Sequence, residues 1–274
     1  MDTQITKSEY LQRLEAAILG IAPEKKLALA FSAGVDSTIL LYVMRNMGCD
    51  VLAVTFNTNL TRRMISISNA ADYAKKLGVK HVVLDIDVMS VPEVHENSKM
   101  RCYHCKSRMF AALADVAKQN GYSVLCDGTN ADDLKEYRPG LKAKEECGVH
   151  SPIALAGLTK DELRAIGREL SLDIASKPSS PCLLTRFPYD ITVTEEMLEI
   201  VELGEEILHD AGFPACRLRV HGDTARIEIP CDRFTDFTDK KELLIPKLKQ
   251  LGFRYITLDL DGLHSGSMDQ TIRN

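Results

Sequence analysis

Between Lys26 and Met47 a short apolar run, KLALAF, passes through Ser32-Ala33-Gly34-Val35-Asp36-Ser37. It leads directly into a segment with Ile39, Leu40, Val43 and Met47 at helical spacing. A buried strand that feeds a helix through so short a turn is half of a βαβ unit, and the pattern recurs. Val51 to Phe56 reads as a second strand, Met64 to Leu77 as a helix, and His81 to Ile86 as a third strand. Tyr103 to Lys118 is helical in pattern, Ser123 to Cys126 makes a fourth strand, and Lys160 to Leu170 a further helix. An opening helix over Ser8 to Leu19 places Leu11, Leu14 and Ile18 on one side. Strands alternating with helices imply parallel pairing, hence an α/β fold with a doubly wound, mostly parallel sheet. Such sheets take ligands beyond the carboxyl ends of their strands, so the loops starting at Ser32, Asn57 and Asp127 are expected to share one cleft.

The alternation stops at Ser171 to Asp190, a stretch rich in Ser and Pro, and 274 residues suffice for two domains. We expect an α/β domain over residues 1–180 and a smaller α+β domain over 181–274. In the second, Thr194 precedes Glu195 and Glu196 as a helix cap, and a helix near Lys240 to Gln250 leads to a strand from Tyr255 to Leu260. No repeat is present, no apolar run approaches the roughly 18 residues of a membrane span, and the polar start does not read as a signal peptide. The expected protein is soluble and cytoplasmic, with no membrane partner. A net charge of −5 and a pI near 5.8 argue against extended nucleic-acid binding.

The loop SAGVDS brings backbone N–H groups and a helix N-terminus together, the arrangement that binds a phosphate, and Ser32 and Ser37 add hydroxyl donors. The Walker A spacing is absent. The competing reading is an unliganded turn with Asp36 as a solvated charge.

Eight cysteines are too few for a disulfide scaffold. Cys102 and Cys105 open a helix at C-x-x-C spacing, and Cys182 lies far along the chain. Three thiolates could hold three irons of a [4Fe–4S] cluster and leave the fourth open. Zinc held by these three with His104, a thioredoxin-like pair, and unconnected reduced thiols remain alternatives. Cys49, Cys126, Cys147, Cys216 and Cys231 are expected to be structural.

Cys216 to His221 and Thr224 to Pro230 read as a hairpin turning on Gly222-Asp223, whose leading glycine suits a type II′ turn. That register opposes His221 to Thr224, Arg219 to Arg226 and Arg217 to Glu228. Like charges directly opposed are unfavourable, and a bound anion between Arg219 and Arg226 would relieve them, as would side chains splayed into solvent.

FSAGVDS resembles the pyrophosphate-loop motif of ATP pyrophosphatases, usually S-G-G-x-D-S. Ala33 stands for the first glycine, a change the loop tolerates if that position keeps a negative φ. RCYHCKSRMF, DGTNADDLKEYRPG, SPCLLTRFPYD and LDLDGLHSGSM resemble blocks of the LarE family of ATP-dependent sulfur transferases, so the likeness runs from Phe31 to Met268. It implies an adenine nucleotide α-hydrolase-like fold and, with ATP and Mg2+, adenylation of a carboxylate of pyridinium-3,5-biscarboxylate mononucleotide. Sulfur then replaces AMP, giving a thiocarboxylate in nickel-pincer nucleotide cofactor biosynthesis.

On the same resemblance Ser32, Gly34, Val35, Asp36 and Ser37 hold the phosphates, and Gly128, Thr129, Asn130 and Arg138 line the same cleft. Arg186, Arg217 and Arg219 contact the phosphate and carboxylates of the nucleotide substrate, with Glu228 and Asp236 as ligands of a divalent metal. Cys102, Cys105 and Cys182 match the family's three-cysteine, [4Fe–4S]-dependent members. Others carry only the cysteine matching Cys182, which gives up its own sulfur; that mechanism is the alternative. A sulfide or other sulfur donor and a homo-oligomer are the implied partners. Rival readings are a tRNA-thiolating relative, an ammonia-dependent amide synthetase and a non-catalytic iron–sulfur or zinc regulator.

Overall fold

A computed structural model describes residues 8–58, 60, 63–135, 139–176, 181–264 and 268. In chain order the elements are α1 (Glu9–Ile21), β1 (Lys26–Ala30), α2 (Val35–Asn46), β2 (Asp50–Asn57), α3 (Arg63–Leu77) and β3 (Lys80–Asp85). Next come α4 (Pro92–His95), α5 (Arg101–Gln119), β4 (Leu125–Cys126), α6 (Gly140–Glu146), β5 (Val149–His150), α7 (Pro152–Leu155) and α8 (Lys160–Glu169). The chain continues with α9 (Glu195–Asp210), β6 (Arg217–His221), β7 (Thr224–Glu228), α10 (Phe234–Asp239), α11 (Lys241–Gln250) and β8 (Tyr255–Leu258). Among the described residues no helix is long and apolar enough to cross a membrane.

The chain divides into two compact units. The first comprises Met1–Thr58, Arg63–Val91 and Met100–Ser180, and holds a five-stranded, all-parallel sheet in the order β3-β2-β1-β4-β5. Alternate residues of β1 serve two cores. Leu27, Leu29 and the following Phe31 join Ile39, Leu40, Met44, Leu163 and Ile166 on one side. Ala28 joins Leu52, Val54, Phe110, Leu113 and Ala117 on the other. That two-sided burial explains why β1 and β2 read as continuous apolar runs rather than alternating ones. Helix α1 starts at Ser8, whose Oγ accepts from Leu11 N at 3.2 Å, and α8 at a capping box of Thr159 and Glu162. The sheet grows outward from β1 to β2 and β3, then resumes on the other side with β4 and β5, so the order reverses between β1 and β4. The expected doubly wound sheet is present. Its fifth strand, β5, and helices α6 and α7 were not foreseen, because Val149-His150 is too short for a period and is hemmed by Gly148 and Pro152.

The second unit comprises Asn59–Arg62, Pro92–Lys99 and Pro181–Asn274. Its two early segments are tied in by backbone and amide bonds. Leu60 O accepts from Leu183 N at 3.1 Å, His95 O from Val193 N at 2.9 Å, and Asn97 O from Asp190 N at 3.2 Å. The buried Asn97 amide also donates to the carbonyls of Leu184, Phe187 and Pro188. The hairpin β6–β7 has the expected register, and of its two loop residues Gly222 alone takes a positive φ, 59°, as a type II′ turn demands. Strand β8 adds parallel to β7 after the crossover through α10 and α11.

Candidate active site

The loop leaving β1 turns at Ala33, whose φ is +54°. The expectation of a negative φ there is corrected: alanine holds the left-handed conformation for which the motif's glycine is suited, at a cost of about 1–2 kcal/mol. Gly34 is the N-cap of α2 and, lacking a side chain, leaves the first turn of the helix without a side-chain cap. Ser32 Oγ accepts from Gly34 N at 3.3 Å and lies 3.2 Å from Ser37 Oγ, which in turn donates to Gly34 O at 3.3 Å. Both hydroxyls and the helix N-terminus therefore face one small volume.

The loop leaving β4 closes on it from across the switch point. A Cβ at Gly128 would stand 3.0 Å from Ser37 N and 3.2 Å from Ser37 Cα, so any side chain there would push the two backbones apart by a few tenths of an ångström. Asn130 Nδ2 donates to Asp36 Oδ2 at 3.0 Å, and Asn130 Oδ1 accepts from Asp132 N and Asp133 N. Asp36 Oδ1 is buried and has no hydrogen-bond partner. Burial raises the pKa of Asp36, while Lys160 and the Asn130 bond pull it back. An unpartnered buried carboxylate oxygen beside an uncapped helix N-terminus suits a cation that accompanies a phosphate chain. Ser32, Gly34, Val35, Asp36, Ser37, Gly128, Thr129 and Asn130 thus gather around the β1 and β4 ends; Arg138 lies outside the described residues.

Cys102 and Cys105 occupy the first turn of α5, three residues apart and so on one face. Cys102 is exposed, and the half-buried Cys105 places Sγ 3.6 Å from Met109 Sδ. Cys182 belongs to the second unit, half-buried at the start of a 3-10 turn over Leu183–Arg186. Its carbonyl oxygen accepts from Thr185 N at 3.1 Å, Thr185 Oγ1 at 2.7 Å and Arg186 Nη1 at 3.3 Å, so the backbone carrying this thiol is fixed. Within either unit, the described residues hold no group of three or more His, Cys, Asp and Glu side chains placed to bind a metal. Of the five cysteines expected to be structural, Cys49, Cys126 and Cys216 are buried; Cys231 is exposed, a correction, because it stands on the short turn after β7.

Four of the expected substrate and metal ligands are already engaged. Arg186, 1% exposed, forms a two-pronged pair with Glu205 at 2.7 and 3.0 Å, and its remaining nitrogen serves the Cys182 turn. Arg219 makes the same pairing with Glu228 at 3.0 and 2.9 Å and donates to Thr185 O at 2.6 Å. Glu228 also accepts from Arg226 at 3.2 Å, so the anion that separates Arg219 from Arg226 is a side chain of the protein itself. Arg186 and Arg219 are therefore corrected from substrate contacts to supports of the Cys182 turn. Glu228 is fully buried between two guanidinium groups, and Asp236 pairs with Arg233 at 2.7 Å on the surface. Arg217 is half-buried. Burial foremost, then the charges of Arg186 and Arg219, lower its pKa, with Glu205 opposing. An incoming anion would relieve that crowding.

Sequence reading missed Glu205, Thr185, Lys144 and Ser151, because nothing in composition or spacing marks a polar residue as buried and paired.

The sequence pattern of a family described as of unknown function, DUF7411, matches residues 25–181. A protein of Lactiplantibacillus plantarum named pyridinium-3,5-bisthiocarboxylic acid mononucleotide synthase is 36% identical over 250 residues, covering 90% of both chains. The chain belongs to the LarE family. A second relative of this LarE-family protein, from Methanocaldococcus jannaschii and uncharacterised, is 35% identical over 237 residues, 86% of this chain and 90% of the relative. More distantly, the tRNA-specific 2-thiouridylase MnmA of Rickettsia felis is 27% identical over 229 residues, 69% of this chain and 62% of the relative. That breadth is consistent with a pyrophosphate-loop α/β fold, and the two named relatives are enzymes whose products contain sulfur.

Proposed function

We propose that this LarE-family protein is an ATP-dependent sulfur transferase acting on pyridinium-3,5-biscarboxylate mononucleotide, in the biosynthesis of the nickel-pincer nucleotide. A substrate carboxylate oxygen attacks the α-phosphorus of ATP, the bond to pyrophosphate breaks, and an acyl-adenylate forms. A sulfur nucleophile then attacks the acyl carbon and AMP departs, leaving a thiocarboxylate. The observation that carries this reading is the phosphate loop: two hydroxyls, an uncapped helix N-terminus and the unpartnered Asp36 Oδ1, brought together where the strand order reverses. The substrate follows from the Lactiplantibacillus relative.

In this reading Ser32, Gly34, Val35 and Ser37 bind the phosphates, and Thr129 and Asn130 orient them. Asp36 would offer an oxygen to Mg2+, which would neutralise charge on the departing pyrophosphate. Arg217 binds the substrate's anionic groups. Cys102, Cys105 and Cys182, none of them in a disulfide, have the donor chemistry of a three-cysteine [4Fe–4S] site, whose open iron would supply bound hydrosulfide. In the second reading Cys182, whose backbone carbonyl is held by Thr185 and Arg186, gives up its own sulfur.

One experiment addresses both. With Cys182→Ala, substrate-stimulated pyrophosphate release should persist while thiocarboxylate formation is lost; full sulfur transfer by the variant would remove Cys182 from the reaction. In the wild type, repeated turnover with added sulfide supports the cluster. A single turnover with loss of hydrogen sulfide mass from Cys182 supports sacrifice.

A further inference from the structure

Behind the loop that faces Ser37 lies a buried charged chain which the reaction above does not use. Asp127 follows β4 and Ser151 follows β5; because Cys126 pairs with His150, the two residues are next neighbours at the carboxyl edge of the sheet. Both are buried, and so is Lys144 of α6. Asp127 accepts from three donors: Thr129 N at 3.1 Å, Thr129 Oγ1 at 2.7 Å and Ser151 Oγ at 2.5 Å. A hydroxyl has one proton, and Ser151 gives it to Asp127. Its oxygen is thus left to accept from Lys144 Nζ at 2.9 Å. The direction of the chain is fixed: ammonium donates to hydroxyl and hydroxyl to carboxylate, which also accepts from the Thr129 amide and hydroxyl.

We infer that Lys144 is a positioning residue for nucleotide binding, acting through Ser151 and Asp127; this rests on the proposal that the loop binds ATP. Two features of the geometry point there. The Asp127 carboxylate fixes Thr129, the residue between Gly128, packed on Ser37, and Asn130, bonded to Asp36. It also puts a formal negative charge beside a site meant for a polyanion, which is repulsive unless a cation is close. Lys144 supplies that cation within the same buried network and leaves it neutral as a unit. A serine bridge rather than a direct ion pair lets one charge both neutralise Asp127 and orient its oxygens.

The test is ATP binding and pyrophosphate release by the full-length protein and four variants. Lys144→Met removes the charge at nearly constant volume, and should raise the KM and Kd for ATP about tenfold or more, with kcat at saturating ATP changed less. Lys144→Met combined with Asp127→Asn removes both charges and should recover most of the lost affinity. A purely structural lysine would instead give a double variant at least as impaired as the single one. Lys144→Arg, which keeps the charge, should stay nearer the wild type than Lys144→Met. Should Lys144→Met fail to fold by thermal unfolding, Ser151→Ala carries the same test, since it deletes only the bridging oxygen and its proton. Wild-type protein that binds no ATP overturns the ATP reading and this inference with it. Wild type that binds ATP alongside Lys144→Met or Ser151→Ala of equal affinity, or without recovery in the double variant, overturns this inference alone.

Discussion

At Asp36 the carboxyl carries a pKa raised chiefly by burial, and its Oδ1 has lost water without gaining a protein donor. The folded chain therefore binds this proton more tightly than the unfolded one. Stability falls as pH rises from the ordinary 3.8 through the raised value, and stays lower above it. Asp36→Asn should accordingly raise the thermal midpoint at pH 7 by roughly 2–4 °C, with the advantage vanishing below about pH 3.8. Pyrophosphate release should fall by roughly a hundredfold, since the oxygen offered to the cation is gone. A variant both less stable and fully active would show that Asp36 serves the fold, not the phosphates. The phosphate-loop residues were legible in the sequence because the motif is local and its chemistry follows from its composition. The backbone state of Ala33 was not, since a φ value depends on what the neighbouring strand and helix impose.

The elements around Cys182 are joined by ion pairs with almost no solvent contact, Arg186 with Glu205 and Arg219 with Glu228. Burial is the largest influence on Glu205 and opposes its ionisation. The Arg186 bonds and charge, with the Leu218 amide, nevertheless hold its pKa below the ordinary 4.5. With the folded value depressed, this contribution to stability is present above about pH 4.5 and is lost as pH falls through the folded value. Glu205→Gln should cost about 3–5 kcal/mol in urea unfolding, because a buried guanidinium is left without its counter-charge. Pairing it with Arg186→Met should cost less than the single change. A loss below about 1 kcal/mol for Glu205→Gln would mean that the pair is wetter than its geometry implies. The β6–β7 register could be read in advance, because period-two alternation and the Gly222-Asp223 turn allow only one alignment of the two faces. Where each arginine sends its charge could not: Glu228 was placed opposite Arg217, yet its long side chain lies between Arg219 and Arg226.

For the molecule as a whole, the second unit is assembled from three stretches of chain, so it is not the simple tail that a cut at residue 180 suggests. Leu60 O, the buried Val94 and the Asn97 amide, which donates to the carbonyls of Leu184, Phe187 and Pro188, come from segments embedded in the first half of the sequence. A fragment of residues 181–274 should therefore lack a cooperative urea transition that the full chain shows; a fragment as stable as the intact unit would make the early segments dispensable. The sequence by itself determined the strand–helix alternation, the phosphate loop at the end of the first strand, the cysteine spacing on α5 and the hairpin register. Each depends on periodicity or on residues within a few positions of one another. Only the tertiary structure decided the strand order that brings the β4 loop against the β1 loop, the three-part second unit, and the buried partners of Arg186, Arg219 and Lys144. Those follow from contacts between residues distant in the chain, where burial and hydrogen-bond satisfaction, rather than local pattern, select which charge meets which.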